Sequence, residues 1–150
     1  MDDNFKIRPL EKGDLNEDYF KVLSGLTISP FPDKEKLLER FEFIQKRPET
    51  YLVVVAVNKE TGKVVGTGTL AIEHKFIRDL GKVGHIEDIV MAEDVQGLGI
   101  GKLVIQALVK HALEEGCYKT ILACSEANVS FYVKCGFEKK EVEMAFYSKK

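Results

Sequence analysis

Between the apolar runs HIEDIVMA and LVIQALVKHALEEG the chain carries Gln96-Gly97-Leu98-Gly99-Ile100-Gly101-Lys102, with glycine at every second position. Glycine loses more conformational freedom on ordering than any other residue, so the alternation marks a backbone that a Cβ would obstruct. A strand, a glycine turn and a helix start in that order aim unpaired N–H groups and the positive end of a helix dipole at one point. We therefore expect an anion site there, with phosphate as its guest. Spacing excludes the two commonest phosphate loops. A P-loop requires Gly-x-x-x-x-Gly-Lys-Ser/Thr, and here Gln96 takes the first glycine position and Leu103 replaces the hydroxyl residue. The dinucleotide fingerprint requires G-x-G-x-x-G in an opening βαβ unit, whereas G-x-G-x-G comes late in this chain.

The segments around the loop read as one domain over residues 1–150, of α+β or mixed α/β class. FKIRPL alternates as a strand, and Asp14 is the expected cap of a helix through LNEDYFKVLSG. Pro30 and Pro32 break the chain. Asp33 starts a second helix with Leu37, Leu38, Phe41 and Ile44 at helical spacing, and Pro48 stops it. TYLVVVAVN and VVGTGTLAIEHKFI, joined by KETGK, read as a β-hairpin, and HIEDIVMA as a third long strand. The helix after the glycines should bury Leu103, Val104, Ala107, Leu108 and Ala112 and end at Gly116. KTILAC is a strand, ANVSFYVKC a short helix and FEKKEVEMAFYS a closing strand. The order is β-α-α-β-β-β-α-β-α-β, with helices on both sides of the sheet.

A net charge of −2 exerts no general pull on nucleic acid or an anionic membrane, so any anion site is local. No window is apolar for long enough to span a membrane. The N-terminal segment lacks the pattern of a signal or transit peptide, and three scattered cysteines suit a reducing compartment; a cytoplasmic location is expected. His74, His85 and His111 lack metal-ligand spacing. No metal is expected, and the histidines receive no catalytic role.

Gln96-x-x-Gly99-x-Gly101 resembles the Q/R-x-x-G-x-G/A motif of the GNAT acetyltransferase superfamily, and the element order is similar to the GNAT fold, a mixed, mostly antiparallel sheet flanked by helices. Within that superfamily IEHKFI, GHIEDIVM, GCYKTILAC, NVSFYVKCGF and VEM, in this order from about Gly66 onwards, resemble the branch that acetylates glucosamine 6-phosphate. FKVLSGLTISP is a looser match. The resemblance implies acetyl-CoA as co-substrate and direct attack by the amine, without a covalent enzyme intermediate. It also implies an intertwined homodimer in which the C-terminal strand reaches the partner and both chains build the sugar site. The product would lie on the way to UDP-N-acetylglucosamine.

Such a transfer needs a base for the ammonium, polarisation of the carbonyl and stabilisation of the departing thiolate. Glu87 and Asp88 are adjacent carboxylates in an apolar strand, and alternation sends them to opposite faces unless a bulge intervenes. By resemblance the pair contacts the sugar and supplies the base; Glu87 is favoured as base and Asp88 as sugar ligand. Tyr132 is implied as donor to the leaving thiolate. Asn128 is its companion, either as a CoA contact or as the cap of its helix. Backbone groups of Ile89, Val90 and Met91 would line the acetyl and pantetheine arm, and the amides of Gly97, Leu98, Gly99, Ile100, Gly101 and Lys102 the pyrophosphate. Ala123 stands where some members carry an acidic residue: if only the backbone carbonyl there is used nothing is lost, and if the charge matters the base assignment shifts further to Glu87. For the sugar phosphate the resemblance implies Lys75, Phe76, Ile77, Arg78, Tyr118 and Lys119, with Ser24 near the sugar and Tyr147 where some members carry arginine. A polyamine or protein amine as acceptor would call for an acidic groove, which the cluster of Lys75, Arg78 and Lys119 opposes. A non-catalytic acyl-CoA-binding module would have no need of Glu87 and Tyr132.

Overall fold

The computed structural model describes residues 3–149. Five strands form one sheet in the order β1 (Phe5–Pro9), β2 (Tyr51–Asn58), β3 (Val64–His74), β4 (Lys82–Met91), β5 (Lys119–Ile121). Neighbours pair antiparallel except β4 and β5, which are parallel. Helices α1 (Glu17–Leu23) and α2 (Lys34–Gln45) precede the central hairpin, α3 (Ile100–Glu114) links β4 to β5, and α4 (Val129–Lys134) follows. The expected order holds through α4.

Strand alternation assigns the two faces. A Cβ on Gly68 would meet Val104 Cγ1 of α3 at 2.8 Å, whereas the next side chain, Thr67, bonds Tyr19 of α1. Helices therefore cover both faces. On the α3 face Val54, Leu70, Ile72 and Ile86 pack against Ile100, Val104, Ile105, Leu108 and Ala112. Leu103 and Ala107, expected in that core, are only partly buried, while Ile105 is fully buried. A 15-residue helix lying flat on a sheet presents a wide apolar stripe, and its phase places Ile105 at the centre.

Two expectations need correction. Asp14 does not cap α1: Asn16 does, accepting from Tyr19 N at 3.0 Å. Asp14 is instead buried in a fork with Arg8 (2.7 and 3.0 Å) and takes the Glu11 amide at 2.8 Å. Burial raises its pKa, but the Arg8 and Glu11 hydrogen bonds outweigh that and hold the carboxyl below its usual value. The second correction is the closing strand. Residues 138–149 form no helix or strand and pair with no strand among the described residues. Val142, Met144 and Phe146 are 87, 92 and 98% exposed. The alternation that suggests a strand is present, but no edge of this chain receives it.

Candidate active site

β4 and β5 pair over only three positions, from Val83↔Lys119 to His85↔Ile121. β5 ends there, so among the described residues the β5-side edge of β4 from Ile86 to Met91 has no strand partner and a gap opens beside it. At the head of the gap lies the start of α3. Gly97 and Gly99 have φ of 85° and 84°, and a Cβ at either would meet nothing; conformation, not space, requires glycine there. Gly99 caps α3 without a side-chain bond, and the first intrahelical bond runs from Leu103 N to Gly99 O. The amides of Ile100, Gly101 and Lys102 precede that bond and have no helical partner, the donor set expected for a pyrophosphate. Gln96 Nε2 donates to Met91 O at 3.3 Å, tying the loop to the end of β4. That occupies one of the backbone groups expected to serve the pantetheine arm. Leu98 and Lys102 are exposed.

The carboxylate pair is resolved by a bulge. Thr67 pairs with Val90 and Thr69 with Glu87, so Gly68 alone opposes both Asp88 and Ile89. Asp88 takes φ of 53°, a conformation costly for a residue with a Cβ. Glu87 shares the face of Thr69, and Asp88 lines a cavity of about 250 Å³ with Thr67, Thr69 and Tyr19 on that same side. Alternation is broken, and both carboxylates stand exposed beside the gap. The bulge has support from below. Tyr19 and Thr67 are 6 and 1% exposed, and their hydroxyls lie 3.2 Å apart. Thr67 Oγ1 gives its one hydrogen to Val54 O at 2.8 Å, so Tyr19 is the donor to Thr67. Sequence reasoning missed this pair; an aromatic in a helix and a threonine in a strand carry no signal of meeting.

Tyr132 is half-buried on α4, edge-on to Phe131 and Phe137. Burial pushes its phenol above the ordinary value, so at neutral pH it holds its proton. Its hydroxyl makes no hydrogen bond among the described residues. A Cβ on Gly101 would reach Phe131 at 3.4 Å, which places α4 against the start of α3. Asn128 stands at the cap position of α4 but makes no cap bond, so its amide is not spent on the helix. Ala123 is exposed in the segment after β5.

The residues expected around the sugar phosphate do not all gather. Ser24 donates to Phe20 O at 2.9 Å, and neighbouring Gly25 abuts Val90, so this turn does lie beside β4. Lys75, Phe76, Ile77 and Arg78 belong to the β3–β4 connection, closed by Lys75 N to Gly81 O at 2.8 Å. Arg78, Asp79 and Leu80 form a left-handed turn, with φ of 57, 56 and 57°. Arg78 stacks on Tyr118 at 4.7 Å, with Lys119 Nζ 6.0 Å from the same ring. Lys75 Nζ is held by Glu73 at 3.0 Å. This cluster lies at the beginning of β4, and five strand steps to Glu87 amount to about 17 Å. Tyr147 is exposed in the unpaired C-terminal segment.

Sequence reasoning also passed over His85, whose Nε2 lies 2.9 Å from Glu73 Oε1. The signal was present: His85 precedes Glu87 by two positions and so shares its face. Among the described residues no group of three or more His, Cys, Asp or Glu could hold a metal, and no helix is long and apolar enough to cross a membrane.

The site thus combines a parallel strand pair that stops short, an uncapped, glycine-led helix start, two exposed carboxylates on β4 and a protonated phenol on α4. The chain matches the acetyltransferase (GNAT) family over residues 14–137 and belongs to it. It is 45% identical over 147 residues to glucosamine 6-phosphate N-acetyltransferase 1 of Dictyostelium discoideum, covering 98% of this chain and 93% of the relative. It is 41% identical over 140 residues to glucosamine 6-phosphate N-acetyltransferase of Candida albicans, covering 93% of each. The crystal structure of glucosamine-6-phosphate N-acetyltransferase from Arabidopsis thaliana superposes with a TM-score of 0.93 at 39% identity, over 97% of this chain and 99% of that one.

Proposed function

We propose that the protein, acting as a single domain, transfers the acetyl group of acetyl-CoA to the 2-amino group of D-glucosamine 6-phosphate, giving N-acetyl-D-glucosamine 6-phosphate and CoA. The observation that carries the reading is the Asp88 bulge, which sets two carboxylates side by side at the gap between β4 and β5. Full-length likeness to relatives bearing that one name supports the acceptor.

The co-substrate supplies an acetyl group activated as a thioester. The free amides of Ile100, Gly101 and Lys102 fit its pyrophosphate, and the open edge of β4, with Asn128 and the Ala123 carbonyl across the gap, fits its arm. Glu87 takes a proton from the sugar ammonium, and Asp88 holds the sugar. The freed amine attacks directly. Tyr132, kept protonated by burial, donates to the sulfur as it departs.

For the acceptor half we add a second copy of the chain. The Lys75–Arg78 turn leads into β4, and Glu87 lies about 17 Å further along the strand backbone. The exposed Phe76, Ile77 and Leu80 on that turn, together with Val142, Met144 and Phe146, are apolar surface suited to a partner. We infer a homodimer in which the C-terminal segment pairs with the other chain's sheet, and Lys75, Arg78, Tyr118, Lys119 and Tyr147 gather across the interface around the sugar phosphate. A cytoplasmic place on the route to UDP-N-acetylglucosamine accords with this chemistry. The test is CoA-thiol release with glucosamine 6-phosphate and with unphosphorylated glucosamine in parallel. Turnover of the phosphorylated sugar alone is expected; equal turnover of both would remove the phosphate from the reading.

A further inference from the structure

Acetylating an ammonium releases one net proton. The first proton must leave nitrogen before its lone pair attacks the thioester carbon. As the C–N bond forms and the C–S bond breaks, Tyr132 gives its proton to sulfur, and the second N–H proton restores the phenol. Amide, thiol and one free proton result. Glu87 is exposed in the free chain, but a sugar held against it covers its carboxyl, and a Glu87 that keeps the first proton is spent for the next turnover, so that proton needs an exit.

His85 and Glu87 leave the same face of β4, because the bulge begins only after Glu87. Two strand steps separate their Cα atoms by about 7 Å, so the two side chains are next neighbours on that face. Glu73 lies on that face too, with Oε1 2.9 Å from His85 Nε2 and Oε2 3.0 Å from Lys75 Nζ. Those two partners, His85 first, hold the Glu73 carboxyl below its ordinary value, so it is ionised at neutral pH. A carboxylate only accepts, so Nε2 carries the hydrogen, and in the neutral ring Nδ1 is an open acceptor. Nδ1 makes no hydrogen bond among the described residues. The side chain is 33% exposed, which gives it contact with solvent. Glu73 from β3, Lys75 just after it, and Glu87 with Asp88 from β4 are charged groups on this face; β5 contributes uncharged Ile121 as the register partner of His85.

We propose that His85, oriented by Glu73, relays the amine proton from Glu87 to solvent, a role that rests on the acetyl transfer inferred above. The proton passes from the Glu87 carboxyl through one water to Nδ1. The imidazolium, stabilised by the Glu73 carboxylate, then gives it to bulk water. Both groups are regenerated, and nothing is oxidised or reduced. His85 touches no reacting atom and acts through Glu87.

The test compares His85→Gln and His85→Ala with the wild type at saturating substrates, with acetyl-CoA binding by calorimetry as the check on folding. A glutamine amide still donates to Glu73 but passes no proton, so a merely structural histidine predicts His85→Gln near wild type. The relay predicts a fall in kcat of about 10- to 100-fold in both variants, with the KM for acetyl-CoA unchanged. Added imidazole should restore several-fold of the activity of His85→Ala and none of Glu87→Gln. Unchanged kcat in His85→Gln, or absence of imidazole rescue in a His85→Ala that binds acetyl-CoA, overturns the relay alone. If His85→Ala loses binding, His85→Gln decides. An inactive wild type overturns the relay and the acceptor together.

Discussion

The start of α3 and the C-terminal segment are both places where backbone groups lack partners, and they differ in what surrounds them. At Gly99 the free amides belong to three consecutive residues, steadied by Gln96 on Met91 and by Phe131 against Gly101. The donor half of the site is thus assembled by one chain. Residues 138–149 instead carry apolar side chains into solvent, and the turn carrying Lys75 and Arg78 stands before the start of β4, away from the carboxylates. A helix terminus recognises phosphate with contiguous backbone, whereas an amino sugar must be gripped at both ends by side chains from distant elements. The first task fits within a fold of this size; for the second we propose another copy.

The comparison breaks most visibly at the chemistry shared by both halves. Glu87→Gln and Tyr132→Phe should each lower kcat by about 10²- to 10³-fold while acetyl-CoA binding by calorimetry stays intact. Lost binding in both would show that these residues build the donor half instead. Met144→Asp with Phe146→Asp should next shift the sedimenting species to a monomer. It should cut kcat/KM for glucosamine 6-phosphate by about 100-fold, because a buried apolar interface does not accept two unpaired carboxylates. Acetyl-CoA affinity should not change, and a dimer that persists would refute the role of the arm.

Complementation sharpens the same point. Arg78→Ala and Glu87→Gln, each weak alone, should regain about a quarter of wild-type activity when mixed and refolded together, since half the dimers then carry one intact composite site. No gain would place the cations and carboxylates of one site in one chain. A smaller effect is expected at the donor loop. Gly99→Ala forces a Cβ into left-handed backbone costing about 1–2 kcal/mol, and should weaken acetyl-CoA by about 5- to 30-fold in a binding titration. The smallest effect concerns the frame alone. The folded-state pKa of Asp14 is lowered, so its contribution is present above the unfolded value and is lost as pH falls through the folded one. Asp14→Asn should therefore lower Tm at pH 7 and make progressively less difference in acid.

Much of this was legible in advance because it is local. The glycine loop announces itself by spacing, and the strands and helices through α4 by apolar period; the Asp33 cap lies where expected, accepting from Lys36 N. The α1 cap was not, since Asp14 and Asn16 are equally good caps and only the Arg8 contact removes Asp14 from contention. The phase of α3 misled at Leu103 because periodicity marks a stripe without locating its centre. Glu87 and Asp88 were visible as a pair, yet their shared orientation was not, because a bulge depends on what the opposing strand offers. Gly68 leaves room there that a side chain would fill: a Cβ would meet Ile89 Cδ1 at 2.5 Å.

What the order of residues determines by itself is whatever neighbouring residues settle among themselves: the turn that needs Gly97 and Gly99, the uncapped helix that follows, the run of strands, and a C-terminal segment with the alternation of a strand. What only the tertiary structure decides is which distant side chains meet. Tyr19 finds Thr67 across 48 positions, Glu73 finds His85 across 12, and Arg78 finds the Tyr118 ring across 40. Hydrogen bonds and charges act over a few ångströms, so separation along the chain says little about them until sheet register is set.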